Sequence, residues 1–330
     1  MDKCVAITGC NGYIGGQTVL RFKDLGYHVI GVDRNTTSPW IRDTVDSFIT
    51  GDFTNPMFIN SIIDKNPSAL IHIAGTSLVG PSMTDPGTYY LNNVGSTAKL
   101  LSLLASRGWK KTVVFSSSAA VYGDPGDSSL TEDSTKAPIS PYGQSKLMAE
   151  QVLRDCAKGY GFKTIALRYF NACGADSKVR HGQLKEATHL IARIMETIVN
   201  KGVFTLNGDN YPTVDGTCVR DYLHVEDIAN AHYMSTLYAE NMSPGSSIEF
   251  NLGSGKGASI KQIIASVERI TGRMVLTHTG PERAGDPATL VASAQKFKKA
   301  TGWKTDSSEI DNIVRTAWAW YNSAEYRGRA

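Results

Sequence analysis

The sequence has few cysteines, and they form no recognisable pattern. Its 330 residues include five, at positions 4, 10, 156, 173 and 218. The odd number, the wide spacings and the lack of a Cys-x-x-Cys pair argue against a disulfide framework and against a zinc site. The pattern predicts free thiols in a reducing compartment, and we therefore expect a cytoplasmic protein.

Long apolar runs and a strong charge surplus are also lacking. No stretch of about 18 apolar residues occurs, so we expect no membrane-spanning helix and no membrane partner. The first apolar stretch is too short for a signal peptide and leads directly into glycines. The 34 basic and 31 acidic side chains leave a net charge of +3, which does not favour binding to nucleic acid. The length predicts about two domains.

Short apolar runs alternate with helical segments over the first half of the chain. Residues 4–8, 29–32 and 112–115 are typical of buried strands, and residues 13–23 and 142–158 have helical spacing. This alternation predicts an α/β fold with a doubly wound parallel sheet covered on both faces. The pattern loosens after about residue 171, where we expect a smaller, mixed α/β domain.

A glycine triplet follows the first predicted strand and precedes the first predicted helix. Gly9, Gly12 and Gly15 have the spacing Gly-x-x-Gly-x-x-Gly, which allows a tight turn and a close approach of the backbone to a pyrophosphate. Asp33 ends the second predicted strand about 20 residues further on, where a ribose hydroxyl needs an acceptor. These features predict a nicotinamide dinucleotide site. Asp33 would repel a 2′-phosphate and so favours NAD over NADP, although Arg34 weakens this preference.

A second glycine-rich segment, residues 253–257, does not fit a phosphate-binding loop. A glycine stands at position 257, where a nucleoside-triphosphate loop requires serine or threonine. We therefore interpret this segment as a turn.

A second group of residues predicts catalysis. Tyr142 and Lys146 are four residues apart in a predicted helix, hence on one face, and residues 116–118 are serines that close a predicted strand. A tyrosine pKa lies near 10, but a neighbouring ammonium group and a positive nicotinamide ring would both favour the phenolate. Tyr142 would then serve as a general base, with Ser118 hydrogen-bonded to the same substrate oxygen.

Several segments carry a family resemblance that runs from end to end. They are GYIG at 12–15, FSSSAAVYG at 115–123, SPYGQSK at 140–146, LRYFN at 167–171 and NLGSG at 251–255. With them, the sequence resembles the extended short-chain dehydrogenase/reductase family. The run GDNYPTVDGTCVRDY at 208–222 is more specific and is similar to the UDP-glucose 4-epimerases within that family.

The resemblance implies a reversible 4-epimerisation of UDP-galactose and UDP-glucose through a 4-keto intermediate, with tightly bound NAD. Tyr142 would remove the proton of the 4-hydroxyl, Ser118 would bond the reacting oxygen, and Lys146 would hold the nicotinamide ribose and lower the pKa of Tyr142. The implied domains are an NAD-binding Rossmann domain over 1–172, completed by about 222–255, and a UDP-sugar-binding domain over 173–221 and 256–330. A homodimer through helices 90–106 and 142–158 is also implied.

The resemblance further assigns residues to each ligand. Those assigned to the cofactor are Gly9, Gly12, Tyr13, Ile14, Gly15, Asp33, Arg34, Asn35, Asp52, Phe53, Ala74, Asn92, Ser116, Tyr142, Lys146 and Phe170. Those assigned to the sugar nucleotide are Ser118, Tyr142, Asn171, His189, Leu190, Asn207, Arg220, Arg283 and Asp286.

Some of these residues also have a purely structural interpretation. Arginine suits a diphosphate because its guanidinium fork binds phosphate oxygens. However, Arg220 could instead pair with Asp221, Arg283 could pair with Asp286, and His189 could be a packing residue. His224 and His232 fall in one predicted helical segment without metal-ligand spacing; we interpret both as structural and expect no metal.

Three positions depart from the family pattern. Ser77 stands where many members have lysine, so one cofactor contact is lost or replaced. Ala120 stands at a frequent threonine and removes a hydrogen bond near the sugar. Leu290 stands where a bulky residue excludes N-acetylated sugars and a small one admits them. Because leucine is intermediate, the choice between hexose and N-acetylhexosamine stays open.

Other readings of the same residues give other functions. A 4,6-dehydratase needs an Asp-Glu pair after the serines, but Ala119 and Ala120 stand there and cannot act as acid or base. A 4-epimerase for an N-acetylhexosamine, pentose or uronic-acid nucleotide remains an alternative, because the sequence does not show the shape of the pocket. A non-catalytic NAD-binding protein is the alternative of another class, and it would not need Tyr142, Lys146 and Ser118 together.

Overall fold

A computed structural model describes residues 3–34, 39–124, 126, 129–184, 186–282 and 287–329. Within these residues the strands are β1 (Cys4–Thr8), β2 (His28–Asp33), β3 (Ser47–Thr50), β4 (Ala69–His72), β5 (Thr112–Ser118), β6 (Lys163–Tyr169), β7 (Asn171–Cys173), β8 (Phe204–Asn207), β9 (Val219–His224), β10 (Ser247–Leu252), β11 (Gly257–Ser259), β12 (Thr277–Gly280) and β13 (Thr289–Leu290).

The helices alternate with the strands along the first half of the chain and dominate its end. They are α1 (Tyr13–Asp24), α2 (Pro39–Thr44), α3 (Pro56–Ile63), α4 (Val79–Ser82), α5 (Pro86–Tyr89), α6 (Ser96–Ser106), α7 (Pro141–Tyr160), α8 (Leu190–Val199), α9 (Val225–Glu240), α10 (Ile260–Thr271), α11 (Gln295–Thr301), α12 (Ile310–Tyr321) and α13 (Ala324–Arg329). A π-helical stretch spans Tyr90–Gly95, and a 3₁₀ turn spans Ala119–Val121.

Seven parallel strands form the large sheet, in the order β3-β2-β1-β4-β5-β6-β10. Successive residues of β1 point to opposite faces: Val5 and Ile7 join the core layer that contains α1 and α9 residues, and Ala6 joins the layer that contains α6 and α7 residues. The predicted doubly wound parallel sheet is thus confirmed. The strand order reverses between β1 and β4, and at such a switch point a crevice opens at the carboxyl ends of the strands.

The chain leaves the large sheet after β6 and returns to it at β10. Between and after these strands it forms a second layer, in which β7, β11 and β13 all pair with β9 and β12 pairs with β8. A separate apolar core joins α8, α10 and α12. The domain limits given above stay a prediction. None of the described helices is both long and apolar enough to cross a membrane.

Local sequence signals define where helices α7 and α10 begin and where α7 ends. Ser140 caps α7 by accepting a hydrogen bond from the Gly143 N–H (3.1 Å), and Pro141 occupies its first turn. Gly161, at φ +82°, ends the helix in the left-handed conformation that glycine adopts without strain. A capping box of Ser259 and Gln262 starts α10.

The predicted helix 90–106 is present, but its first six residues are π-helical. In that wider stretch the buried Asn93 side chain accepts from the Thr76 N–H at 2.8 Å and donates to the Thr76 carbonyl at 3.0 Å. One local prediction is wrong: His224 does not lie in a helix with His232. It ends β9, and its Nδ1 caps α9 by accepting from the Glu226 N–H at 3.1 Å. Within the described residues, no group of three or more metal-binding side chains occurs.

We expect the folded protein to lose stability in mild acid. Burial lowers the pKa of His72 and His232 to about 3 and that of His181 and His224 to about 4, against 6.5 for free histidine. The unfolded chain therefore binds more protons below pH 6.5, and stability that is complete above that pH falls as the pH drops toward 4. At pH 5 each histidine costs about 2 kcal/mol, and the Asp227 carboxyl, whose pKa burial raises to about 6, offsets only part of the sum.

Melting temperatures recorded from pH 7.5 to 5.0 at constant ionic strength check this expectation. A steep and reversible fall of Tm below pH 6.5 is expected. A Tm that stays constant down to pH 5 would contradict it.

Candidate active site

One cavity of about 1320 Å³ lies at the carboxyl ends of the large-sheet strands and extends to the second layer. Every described residue that the sequence analysis assigned to catalysis, cofactor or substrate lines this cavity. Asn35, Arg283 and Asp286 lie outside the described residues. The structure therefore brings the assigned residues together, while the role of each remains a prediction.

The glycine turn between β1 and α1 leaves no room for side chains. Gly9 has φ +73°, and a Cβ there would lie 2.7 Å from the backbone nitrogen of Ala74. A Cβ on Gly15 would lie 1.9 Å from the carbonyl oxygen of Gly9. The N–H of Asn11 donates to Asp33 Oδ2 at 3.0 Å, so the carboxylate stands beside the turn. This arrangement fits a dinucleotide, with the pyrophosphate at the start of α1 and an acceptor for the ribose.

The other cofactor-side residues follow the ends of successive strands. Asp52 and Phe53 come after β3, Ala74 after β4 and Phe170 after β6. Asn92 lies in the π-helical stretch, where its amide donates to Thr76 Oγ1 at 2.9 Å. Ser77, which replaces the usual lysine of the family, is exposed and also lines the cavity.

The predicted catalytic residues meet where β5 ends against α7. Tyr142 and Lys146 line the cavity from one face of the helix. The Lys146 Nζ donates to the Ser116 carbonyl oxygen at 2.7 Å and lies 4.8 Å from the centre of the Phe115 ring. The Ser118 side chain lies close enough to the Tyr142 phenol to lower its pKa. A proton-accepting phenol, a hydroxyl and an ammonium group therefore converge on one wall.

Burial dominates the electrostatics of this wall. It raises the pKa of the Tyr142 phenol above its ordinary value; Ser118 opposes this shift and Tyr89 adds to it. Burial also lowers the pKa of Lys146 to about 8, against the opposing negative charge of Glu150. Lys146 is not among the groups that shift the pKa of Tyr142 here, so the expectation that it lowers that pKa stays a prediction.

The far side of the cavity is lined by the residues assigned to the sugar nucleotide. His189 occupies the N-cap position of α8, and its Nδ1 is within 2.6 Å of the Gln183 amide nitrogen. Its ring centre lies 5.8 Å from that of Tyr13, so it joins the two sides of the cavity. Leu190, Asn171, Asn207 and Arg220 also line this part.

The alternative of an Arg220–Asp221 ion pair finds no support. Neighbouring residues of a strand point to opposite faces, and only Arg220 lines the cavity. The Asp221 carboxylate, fully buried, accepts hydrogen bonds from the backbone N–H groups of Ser254, Gly255 and Ala292 at 2.7, 3.0 and 3.2 Å. These bonds also explain why segment 253–257 is no phosphate loop, because a carboxylate of the protein already occupies its N–H groups.

Sequence reasoning missed several lining residues. On the second layer they are Cys173, Arg193, Thr205, Cys218 and Tyr222, and at the mouth Leu78, Val79 and Met83. Two of them had a detectable signal. Arg193 follows His189 by four residues on one helix, and Thr205 precedes Asn207 by two on one strand, so each shares a face with an assigned residue.

Leu290 and Ala120 do not line the cavity. Leu290 packs against a small apolar cluster that includes Ala119, Tyr122 and Phe170. Of these, Phe170 lines the cavity, and Leu290 is also the β-sheet partner of Arg220, which lines it too.

Comparisons with known proteins agree with this geometry. Residues 5–253 match the NAD dependent epimerase/dehydratase family. A UDP-glucose 4-epimerase of Halalkalibacterium halodurans is 37% identical over 96% of this chain and 95% of its own. The structure of a UDP-glucose 4-epimerase from Brucella ovis in complex with NAD is 37% identical, with TM-score 0.90 over 97% of this chain and 98% of its own. One from Stenotrophomonas maltophila, with bound NAD and formylated UDP-arabinopyranose, is 31% identical, with the same TM-score and coverage.

The glycine turn predicts the effect of a single methyl group. In Gly15→Ala the new Cβ would overlap the Gly9 carbonyl oxygen, and relieving the overlap must open the turn. Such overpacking costs about 1–3 kcal/mol, so NAD affinity should fall about tenfold or more, with a lower Tm. Calorimetric titration with NAD measures the first and thermal melting the second.

Gly87→Ala is the matched control, because no atom lies within 4 Å of a Cβ at that helical glycine. It should bind NAD as the unchanged protein does. Unchanged NAD affinity in Gly15→Ala would show that the turn does not form the cofactor cradle.

Proposed function

The chain belongs to the NAD dependent epimerase/dehydratase family, and on that premise we propose that it catalyses the reversible 4-epimerisation of UDP-galactose and UDP-glucose with resident NAD. One observation carries this proposal. The glycine turn with Asp33, the Tyr142–Ser118–Lys146 wall, and Arg220 all face one continuous cavity. The cofactor cradle, an acid–base group and a cation for a diphosphate are thus within reach of a single bound substrate.

Each of these residues has a defined task in the reaction. NAD, when bound, supplies a reversible hydride acceptor for C4 of the sugar. Tyr142 accepts the proton of the 4-hydroxyl while Ser118 donates a hydrogen bond to the same oxygen. The proton later returns from Tyr142 to that oxygen, and the hydride would return to C4, so that the sugar would show no net oxidation. Arg220 and Asn171 hold the diphosphate, which lets the keto sugar turn and present its other face.

Lys146 acts on this step through its charge. A nearby ammonium favours the phenolate form of Tyr142 over the phenol. This help is required because burial raises the pKa of Tyr142 and so disfavours the phenolate that must accept the proton. We infer that the positive charge of Lys146 is needed throughout turnover.

We expect Tyr142→Phe to abolish epimerisation and leave ligand binding intact. The variant lacks the group that takes the proton, and removing a general base typically lowers kcat by about 10²–10⁴. The measurement is conversion of UDP-galactose to UDP-glucose, without added cofactor, coupled to oxidation of UDP-glucose. Tyr160→Phe, at the exposed end of the same helix, is the control and should keep full activity.

The same incubations, with each sugar-nucleotide product separated by chromatography, decide between the alternatives. UDP-N-acetylgalactosamine, UDP-arabinopyranose and a UDP-uronic acid are tested beside UDP-galactose. Turnover of one of these alone would keep the mechanism and change the substrate. Bound NAD without turnover of any sugar would favour a non-catalytic NAD-binding protein. A 4,6-dehydratase is disfavoured, since Ala119 and Ala120 follow β5 and carry no acid or base.

The proposal includes a cytoplasmic homodimer. Two exposed apolar side chains support the dimer. Leu91 is 71% exposed and lies just before α6, and Met148 is 41% exposed and lies on α7, which packs against α6. Free thiols at all five cysteines support a reducing compartment. The dimer face would then comprise the outer surfaces of α6 and α7.

Charges on this face should dissociate the dimer. In Leu91→Lys/Met148→Lys, two lysines would meet their copies across a twofold interface and would have to be desolvated there. Sedimentation velocity should show a shift from dimer to monomer. Met274→Lys, at a methionine of the second layer that is 77% exposed, is the control. A double variant that sediments as the unchanged protein does would place the interface elsewhere or exclude the dimer.

A further inference from the structure

Helix α7 continues the active-site face one turn beyond Lys146. Glu150 follows Lys146 by four residues, as Lys146 follows Tyr142, so the three side chains lie on one face. Only 1% of Glu150 is exposed. Because a carboxylate without partners is strongly unfavourable in a protein interior, its surroundings must compensate its charge.

Arg168 and Ser117 hold this carboxylate. Glu150 Oε1 accepts from Ser117 Oγ at 2.5 Å and from Arg168 Nε at 2.9 Å, and Oε2 accepts from Arg168 Nη2 at 2.7 Å. Arg168 itself is 2% exposed. The two parallel bonds from one guanidinium fix the plane of the carboxylate as well as its position.

The end of β5 thus contacts the helix face at three successive serines. The Ser118 side chain lies near the Tyr142 phenol and lowers its pKa, the Ser116 carbonyl accepts from Lys146, and the Ser117 side chain donates to Glu150. The side chain of Glu150 is bonded to neither substrate-facing group. Lys146, one turn away on the same helix face, is the assigned catalytic residue nearest to it along α7.

We propose that Glu150 is a positioning residue for Lys146: its carboxylate, clamped by Arg168 and Ser117, keeps the buried ammonium charged and directed at the end of β5. Burial lowers the pKa of Lys146 to about 8, and Glu150 is the one charged group of the described residues found to oppose this shift. The kinetic test of this proposal rests on the proposed epimerase function.

The other titratable groups around Lys146 cannot replace Glu150. His72, from β4, is neutral at working pH, since burial and then the charge of Lys146 lower its pKa to about 3. Tyr142 and Tyr169, from α7 and β6, have pKa values raised by burial and carry no charge in the resting protein. On its other side, Arg168 donates to the Tyr122 hydroxyl and to the Glu132 carbonyl oxygen. Lys136 lies near enough for the charge of Arg168 to lower the Lys136 pKa.

The test removes both charges of the clamp. Glu150→Gln alone would leave Arg168 buried without a counter-charge, whereas replacing both members of a buried pair is often tolerated. In Glu150→Gln/Arg168→Met we expect the titration midpoint of Lys146 to fall by about one pH unit. Carbon NMR of protein labelled at the lysine ε-carbons measures it, with the resonance assigned from its loss in Lys146→Met.

Turnover should follow the same shift. The alkaline limb of the kcat profile should move to lower pH by a similar amount, which corresponds to a roughly tenfold loss at pH 8.5 and less than about twofold at pH 6.5. The control is Arg154→Met/Glu249→Gln, which removes an Arg–Glu pair (2.8 Å) on the same helix one turn further, at the surface. Both readouts should be unchanged in this control.

Several outcomes would overturn the proposal. One is a folded double variant with an unshifted or raised Lys146 midpoint. If that variant does not unfold cooperatively, Glu150→Asp replaces it: the carboxylate stays charged but is one methylene shorter, and a smaller downward shift is expected, whereas no shift overturns the proposal. Because the NMR titration needs no turnover, it remains decisive even if the unchanged protein proves inactive on every sugar nucleotide.

Discussion

The contact between the end of β5 and one face of α7 is the constraint on which the rest of the site depends. In a parallel sheet the carboxyl ends of the strands lie at one edge. A helix that packs there can place three side chains, spaced four residues apart, against that edge. Lys146 is bound at this contact by a backbone carbonyl, so its place follows from the sheet itself. The residues of the second layer then line the opposite side of the cavity.

The sheet was predictable because its strands are short, apolar and buried on both faces. Residues 4–8 match β1 from end to end, and the predicted helix 142–158 lies within α7. The glycine turn and the Tyr142–Lys146 spacing pointed to the site because both are local patterns. Contacts between residues that are close in the sequence can therefore be predicted from it.

The missed features depend on contacts between distant segments. The sequence offers no sign that Asp221 binds the N–H groups of residues 254, 255 and 292, because these partners lie in two segments far from Asp221 along the chain. The π-helical start of the 90–106 segment arises from the bonds of Asn93 to a loop 17 residues earlier. The packing of Leu290 against the cluster that includes Phe170 likewise depends on segments far apart in the sequence.

The late return of the chain to the large sheet has a consequence for biosynthesis. Strand β6 ends at Tyr169, but its outer neighbour β10 does not begin until Ser247. A ribosome must therefore make the intervening residues before the edge of β6 is covered. Through that interval the nascent sheet presents unpaired backbone groups along a buried, apolar strand, which is the kind of edge that recruits other chains. Protection by chaperones during translation, and slow passage through this stretch of the message, would thus bear directly on the yield of folded protein.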